Sequence, residues 1–189
     1  DAGEPEAAPA GGHGRARDGD AIHGDTVEGW LVTLREDGLT QAAAEVAKEN
    51  RMWLIPGSIY ERTEEGVYNT AIVLSPEGEL VTSYRKCFPW VPFETTLPGS
   101  QAVVFDIPDV GRLGLAICHD GAFPEMFRQL AWMGAEAVIQ PVLTTSSDRS
   151  VELVLARANA IVNQIHVVSI NAPAPTGLGR SIIVDPEGN

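Results

Sequence analysis

The sequence has 189 residues, 44% of them hydrophobic, which is enough for one domain that buries a sizeable core. Its 26 acidic residues outnumber the 13 Lys and Arg, and the resulting formal net charge of -13 disfavours nucleic acid as a partner because phosphates would be repelled. No apolar run approaches the roughly 20 residues of a membrane span and no signal peptide is evident, so we expect a cytoplasmic protein without membrane contact.

The first 25 residues are rich in Gly, Ala and Pro and contain one bulky aliphatic residue, Ile22. Because such a segment cannot bury a core by itself, we expect a loop over 1–25. Helical patterns follow from Val27 and again from Thr40, whose hydroxyl suits the cap of the second helix. We expect these segments to belong to a single domain that spans 1–189.

The next part of the chain predicts an antiparallel set of strands. Apolar or alternating runs occur at 52–61, 67–75 and 80–86. Pro76-Glu77-Gly78 is typical of a tight turn, so the last two runs are predicted to form a hairpin.

The second half of the chain alternates between strand and helix patterns. A helix is predicted from Pro124 and a long helix is predicted after a cap at 146–148. Strands are predicted around them at 102–107, 112–118, 135–141, 166–171 and 180–185. This alternation predicts an α/β fold in which helices cover a mixed sheet. The side chains expected to face the core include Trp30, Trp53, Phe123, Trp132 and the stripe of the long helix, Val151, Val154, Leu155, Ala158, Ile161 and Val162.

Cys118 ends a predicted strand and precedes a turn and a helix, a layout that exposes a nucleophile at a sheet edge. A buried core thiol is the alternative on spacing alone, since free cysteine is among the most buried residue types. The neighbouring His119 is not expected to activate it, because adjacent strand residues point to opposite faces. The second cysteine, Cys87, forms no CxxC pair with it, and neither a disulfide nor a zinc site is indicated.

Lys86 stands out because the chain has only one other lysine, Lys48. The uncharged run CFPWVPF follows it, so its ammonium is expected to be partly desolvated and to need a carboxylate. Glu94, which closes that run, would hold Lys86 charged. A purely structural ion pair is the alternative. Glu6, in the Gly-rich opening, has on composition alone the features of a solvated loop acid.

The segments YRKCFPWVPFETTLPG and LAICHDGAFPEMFRQLAWMGAEAV resemble the lysine and cysteine segments of the nitrilase superfamily of carbon-nitrogen hydrolases. Within it, the chain is most similar to aliphatic amidases and formamidases. The resemblance runs from Pro5-Glu6 through ARANAIVNQ to GRSIIVDPEGN. It implies a nitrilase-like α-β-β-α sandwich, here truncated at both ends, and a homo-oligomer.

The resemblance also implies roles for individual residues. Cys118 would be the nucleophile, Lys86 the catalytic cation, Glu94 the glutamate beside that cation, and Glu6 the general base. The backbone N–H of His119 would help to bind an oxyanion. No cofactor and no metal are implied, and no phosphate-binding loop or HExxH segment is present in the sequence.

The reaction implied by the resemblance is hydrolysis of a small aliphatic amide to a carboxylic acid and ammonia through a cysteine thioester. A nitrilase or an N-carbamoyl amidohydrolase would share the same three central residues and differ in the pocket. In a different class, a non-catalytic nitrilase-like binding module is the alternative.

Overall fold

The computed structural model describes residues 31–32 and 38–189, and it contains two sheets. The first sheet has the strand order β1-β2-β3-β4, in which β1 is parallel to β2 and the other pairs are antiparallel. These strands are β1 (Leu31–Val32), β2 (Ser58–Arg62), β3 (Val67–Leu74) and β4 (Leu80–Arg85).

The predicted hairpin is confirmed between β3 and β4. Ala71 lies opposite Tyr84, and Gly78 adopts a φ of 80° in the turn between the strands. A left-handed backbone of this kind favours glycine. The predicted strand over 52–61 is shorter in the structure, where β2 begins only at Ser58. Leu54 forms an isolated antiparallel bridge with Leu74, but Pro56 lacks a backbone N–H and Gly57 has a φ of 121°, so regular pairing is interrupted before Ser58.

Within 38–189, the second sheet contains five strands in the order β5-β6-β7-β8-β9. The three central strands are parallel, and the strand at each edge is antiparallel to its neighbour. The carboxyl ends of β6 and β7 therefore lie side by side. The strands are β5 (Val104–Ile107), β6 (Gly111–Leu115), β7 (Ala137–Val142), β8 (His166–Asn171) and β9 (Ile182–Val184).

In the described part of the chain, three α-helices cover the outer faces of the two sheets: α1 (Gly38–Asn50), α2 (Pro124–Trp132) and α3 (Arg149–Asn163). Ile72 and Leu74 of β3 pack against α1, whereas the alternate residues of β3 face the second sheet. On the far side of the second sheet, Leu130 of α2 packs against Gly114. The layers follow the order helix, sheet, sheet, helix, so the expected α-β-β-α sandwich is confirmed.

The core lies between the two sheets and continues beneath α2 and α3. Its fully buried side chains include Tyr84 and Leu115 from the facing sheets and Phe127 from α2. No helix within 38–189 is long and apolar enough to cross a bilayer.

Several expectations from the sequence are wrong. Leu31–Val32 is a strand, although the pattern from Val27 predicts a helix there. The apolar stripe predicted for the long helix faces outward, and Val154 is 65% exposed. Trp132, also expected in the core, is 77% exposed. The loop predicted for 1–25 lies outside the described residues.

After the buried Arg149 in its first turn, the buried face of α3 is instead made of small and amide side chains, namely Ala156, Asn159, Ala160 and Asn163. Alanine permits close approach to the sheet, and Asn159 donates a hydrogen bond to the carbonyl oxygen of Gly121 at 3.0 Å. Shape and hydrogen bonding therefore decide the orientation of this helix, rather than the largest apolar residues.

Candidate active site

Cys118 lies in a sharp turn at the end of the β6 segment. The chain leaves the sheet after Ile117, and Cys118 adopts a φ of 45° at the start of a 3₁₀ turn, Cys118–Ala122. Gln140 of the neighbouring β7 holds this turn, because its side-chain amide donates to the carbonyl oxygen of Cys118 at 2.7 Å. Such a left-handed backbone is unfavourable for a residue with a Cβ, so the surrounding contacts must impose it.

Lys86 immediately follows β4 and is only 2% exposed. Its backbone N–H donates to the carbonyl oxygen of Asn69 at 2.8 Å, and its own carbonyl accepts from Gly99 at 2.7 Å. The side-chain Nζ lies 2.5 Å from Oε2 of Glu94. The structure therefore confirms the predicted contact between Lys86 and Glu94.

The Glu94 carboxylate accepts hydrogen bonds from three further groups. Asn69 and Thr96 donate to Oε1 at 2.7 and 3.2 Å, and the backbone N–H of Trp90 donates to Oε2 at 3.0 Å. Burial acts to raise the pKa of Glu94, but Lys86 and the other donors outweigh burial and lower this pKa below its ordinary value. Glu94 is therefore a fixed anion whose oxygen atoms are already engaged.

The contribution of Glu94 to stability is expected to depend on pH. A carboxyl whose pKa is lowered on folding stabilises the protein above its unfolded-state pKa, and this stabilisation is lost as pH falls through the folded-state value. The free energy of unfolding of the wild type should therefore exceed that of Glu94→Gln at neutral pH, and the difference should shrink below about pH 4.3. Urea unfolding of both proteins from pH 7 to pH 3 measures this. A difference that stays constant over that range would contradict the assignment.

Gly99 lies where a side chain has no room. A Cβ atom at this position would meet the backbone carbonyl oxygen of Arg85, the residue before Lys86. Gly99→Ala is expected to lower the free energy of unfolding by about 1–3 kcal/mol, because a fixed backbone atom must move. Gly38→Ala is a matched control, since no atom of the described residues lies within 4 Å of the position that its Cβ would occupy. Equal free energies of unfolding for the two variants in urea would contradict the close approach of residue 99 to the Arg85 backbone.

The Cys118 thiol has several charged and polar neighbours. Burial raises its pKa, the charge of Lys86 and the backbone N–H of Leu143 lower it, and the charges of Glu152 and Glu94 raise it. The net effect is a pKa above the ordinary value for a thiol, so Cys118 is protonated at neutral pH before any reaction. A base must then remove the proton when the thiol attacks.

His119 does not supply that base. Burial and the nearby charge of Lys86 lower the pKa of its imidazole, and the ring packs edge-on against Phe123 at a centroid distance of 5.3 Å. Within 38–189, no hydrogen bond joins the His119 ring to Cys118. The expectation that these two neighbours do not act as a dyad agrees with this geometry.

Cys87 has a different environment from Cys118. Its thiol contacts the backbone carbonyl oxygens of Arg85 and Gln101 at 3.9 and 3.6 Å. Burial raises the pKa of the Cys87 thiol. Both cysteines are free, and Cys87 provides an internal comparison for any measurement on Cys118.

Several polar residues around Cys118 and the Lys86–Glu94 pair carry little signal in the sequence. Asp120 and Tyr84 are fully buried, and the Tyr84 hydroxyl donates to the Asp120 carboxylate at 2.8 Å. Glu152 of α3 accepts from Thr144 at 2.7 Å and from Arg149 at 3.1 Å. The one signal in the sequence is an acid, Asp120, two residues after an apolar strand.

Glu6 lies outside the described residues, so the structure does not place it relative to Cys118. In the described part of the chain, no three His, Cys, Asp or Glu side chains are grouped so that they could hold a metal ion. Of the other predicted groups, Lys86 directly follows β4 and contacts Glu94, and Cys118 and the backbone of His119 follow β6. Hydrogen bonds to Asp120 join these two segments.

The sequence matches a known family over nearly its whole length. The family model Carbon-nitrogen hydrolase matches residues 5–189. Formamidases from Bacillus thuringiensis (strain Al Hakam) and Bacillus anthracis are each 38% identical over 157 residues, which cover 81% of this chain and 46% of the relative. The chain therefore spans about half the length of these relatives.

Solved structures resemble the fold. Saccharomyces cerevisiae Nit3, a member of branch 10 of the nitrilase superfamily, superposes with a TM-score of 0.77 at 27% identity, covering 87% of this chain and 64% of Nit3. A mutant of the amidase from Nesterenkonia sp. AN1, with the acetamide moiety of fluoroacetamide added covalently at its active-site cysteine, has a TM-score of 0.72 at 29% identity, covering 79% of this chain and 59% of that one. With these matches the resemblance to the nitrilase superfamily is confirmed, and the chain belongs to the carbon-nitrogen hydrolase family.

Proposed function

We propose that this chain carries the nucleophile and the catalytic cation of a cysteine-dependent amidase, which hydrolyses a small aliphatic amide to a carboxylic acid and ammonia. The observation that carries the proposal is geometric: Cys118 lies on a strained turn, and Asp120 joins the backbone before it to the segment that holds the buried Lys86–Glu94 pair. The relatives named as formamidases and the amidase with a covalent adduct on its cysteine support the same chemistry.

In the first half of the reaction, the Cys118 sulfur attacks the amide carbonyl carbon as a base takes the thiol proton. The carbonyl oxygen becomes an oxyanion, which Lys86 Nζ and the backbone N–H of His119 stabilise. One such donor accelerates a reaction by about 10²- to 10³-fold. The base then gives its proton to the amide nitrogen, the C–N bond breaks, and ammonia leaves a thioester on Cys118.

In the second half, the same base takes a proton from water, and the resulting hydroxide attacks the thioester carbonyl. The oxyanion forms again beside Lys86. When it collapses, the C–S bond breaks, the carboxylic acid departs and Cys118 recovers its proton. Splitting the hydrolysis into two steps avoids direct attack of water on an amide with a poor leaving group.

Glu6 is the base in this proposal. Glu94 is engaged by Lys86 and three further donors, and Glu152 is held by Thr144 and Arg149. These two carboxylates are therefore suited to hold charge in place rather than to carry protons. The protonated state of Cys118 makes a base necessary, and Glu6 in its Pro-Glu pair matches the family pattern for that role.

Trapping the acyl group tests the proposal. The protein incubated with acetamide and hydroxylamine should release acetohydroxamate together with ammonia. In a parallel incubation without hydroxylamine, mass spectrometry after acid quenching should find the acetyl group on the Cys118 peptide. An acetyl group on Cys87 instead, or no ammonia from any amide, would overturn it. A nitrile and an N-carbamoyl amine assayed in parallel distinguish the nitrilase and carbamoyl hydrolase alternatives.

Three broader features belong to the same proposal. The resemblance to the family supports a single carbon-nitrogen hydrolase domain over 1–189 and a homo-oligomer, whose mass light scattering would measure. A cytoplasmic location agrees with the composition of the sequence, and localisation of a tagged protein would test it.

A further inference from the structure

Asp120 contacts both sides of the candidate active site. Its side chain is fully buried. One oxygen, Oδ2, accepts from the backbone N–H of Ile117, the residue before Cys118, at 2.8 Å. The other, Oδ1, accepts from the backbone N–H of Phe88, two residues after Lys86, at 2.9 Å. The Asp120 carboxylate thus binds both the backbone just before Cys118 and the backbone just after Lys86.

Tyr84 adds a third connection from the first sheet. Its hydroxyl donates to Oδ2 of Asp120 at 2.8 Å and accepts from the backbone N–H of Cys87 at 3.1 Å. Tyr84 is fully buried, and its β4 position faces the second sheet. Among the described residues, all hydrogen bonds between segments 84–88 and 117–122 pass through Asp120.

Lys86 and Cys118 come from different sheets, so their separation depends on how the two sheets are joined at this end. We propose that Asp120 is a positioning residue that fixes the Lys86 ammonium relative to the Cys118 sulfur through Tyr84 and the backbone of Phe88 and Ile117. This inference rests on the proposed amidase function, in which Lys86 must stabilise the oxyanion formed at Cys118.

The chemistry of the three donors requires a carboxylate at this position. Two backbone N–H groups and one hydroxyl point at Asp120, and an ionised carboxylate is an acceptor on both oxygens. An asparagine amide would direct N–H bonds at one of these donors and break that link. An error of about 1 Å in a catalytic group can reduce a rate by about 10²-fold, so a small displacement is enough to be measured.

Asp120→Asn tests the inference in the whole protein. We expect kcat for acetamide to fall by about 10- to 100-fold with KM changed by less than about threefold, because the reacting groups rather than the substrate contacts are displaced. The pH profile of iodoacetamide labelling at Cys118 should also move to higher pH, since Lys86 favours the thiolate. The charges of Glu94, Glu152 and Lys86 act on this thiol. Loss of the Asp120 charge would by itself favour the thiolate, so a move of the profile to higher pH reports displacement of Lys86.

Two comparison variants separate positioning from simple loss of stability. Glu61→Gln removes another buried carboxylate, which binds Thr70 and Arg85 on the opposite face of the first sheet, and should leave kcat and the labelling profile unchanged. Tyr84→Phe removes one of the three links and should shift both readouts in the same direction as Asp120→Asn, but less. Thermal unfolding reports the folded fraction of each variant.

The outcomes are distinct. A folded Asp120→Asn protein with the labelling profile and kcat of the wild type would overturn the inference, as would equal shifts in Glu61→Gln. If Asp120→Asn does not fold, Tyr84→Phe decides, and an unchanged labelling profile there overturns the inference. Labelling of Cys118 needs no turnover. A shifted labelling profile in a protein without amidase activity would therefore support the positioning role of Asp120 and contradict the proposed function.

Discussion

Cys118→Ala is expected to reduce kcat for amide hydrolysis by about 10⁴- to 10⁶-fold, the range seen when a covalent nucleophile is removed. The remaining groups can still bind a substrate, but no thioester can form. Stability should change little, because alanine meets the same left-handed backbone as cysteine, whose φ is 45°. Ammonia release and thermal unfolding, measured on the same preparation, check both parts of this prediction.

Cys87→Ala is the matched control for the nucleophile. Cys87 is half-buried, and its thiol contacts carbonyl oxygens rather than the Lys86–Glu94 pair. Its removal should leave kcat within about tenfold of the wild type, since no reacting group is lost. Full activity in Cys118→Ala together with inactivity in Cys87→Ala would reverse the assignment of the nucleophile.

Lys86→Arg has the second largest expected effect, although it keeps the positive charge. Lys86 is 2% exposed, and its compact ammonium lies 2.5 Å from Glu94. A planar guanidinium is larger and directs its donors in a fixed fork, so it cannot occupy the same position. We expect kcat to fall by about 10²- to 10³-fold, the effect of losing one oxyanion donor.

Lys48→Arg is the control for this substitution, because Lys48 is the other lysine of the chain and lies exposed on α1. Its kcat should equal that of the wild type. Steady-state kinetics of both variants, with circular dichroism to confirm folding, provide the measurement. Wild-type kcat in Lys86→Arg would show that charge alone, without a defined donor position, is sufficient at this site.

The sequence predicted the central part of the site because its signals are local. Lys86 is followed by a long uncharged run, and Glu94 is the first acid after it, so the ion pair follows from the need to compensate a buried charge. The position of Cys118 follows from an apolar strand that ends before a turn. The strand pattern also predicted most of both sheets, since alternation reports which face of a strand is buried.

The parts that could not be predicted depend on contacts between distant segments. Nothing local indicates that Asp120 accepts from Tyr84 and Phe88, which lie more than 30 positions earlier. For α3, the periodicity identified a helix but not its orientation, because Ala156 and Asn159 fit against the 3₁₀ turn better than the larger residue Val154. Packing and hydrogen bonding therefore override hydrophobicity at these positions.

The left-handed backbone at Cys118 lowers the stability of the fold, whereas the thiol at this position is needed for the proposed reaction. Glycine adopts a φ of 45° without the steric penalty of a Cβ, so Cys118→Gly is expected to relieve about 1 kcal/mol of strain while abolishing the nucleophile. In the proposed function the thiol at this position is required for turnover, although the fold alone would be more stable with glycine there.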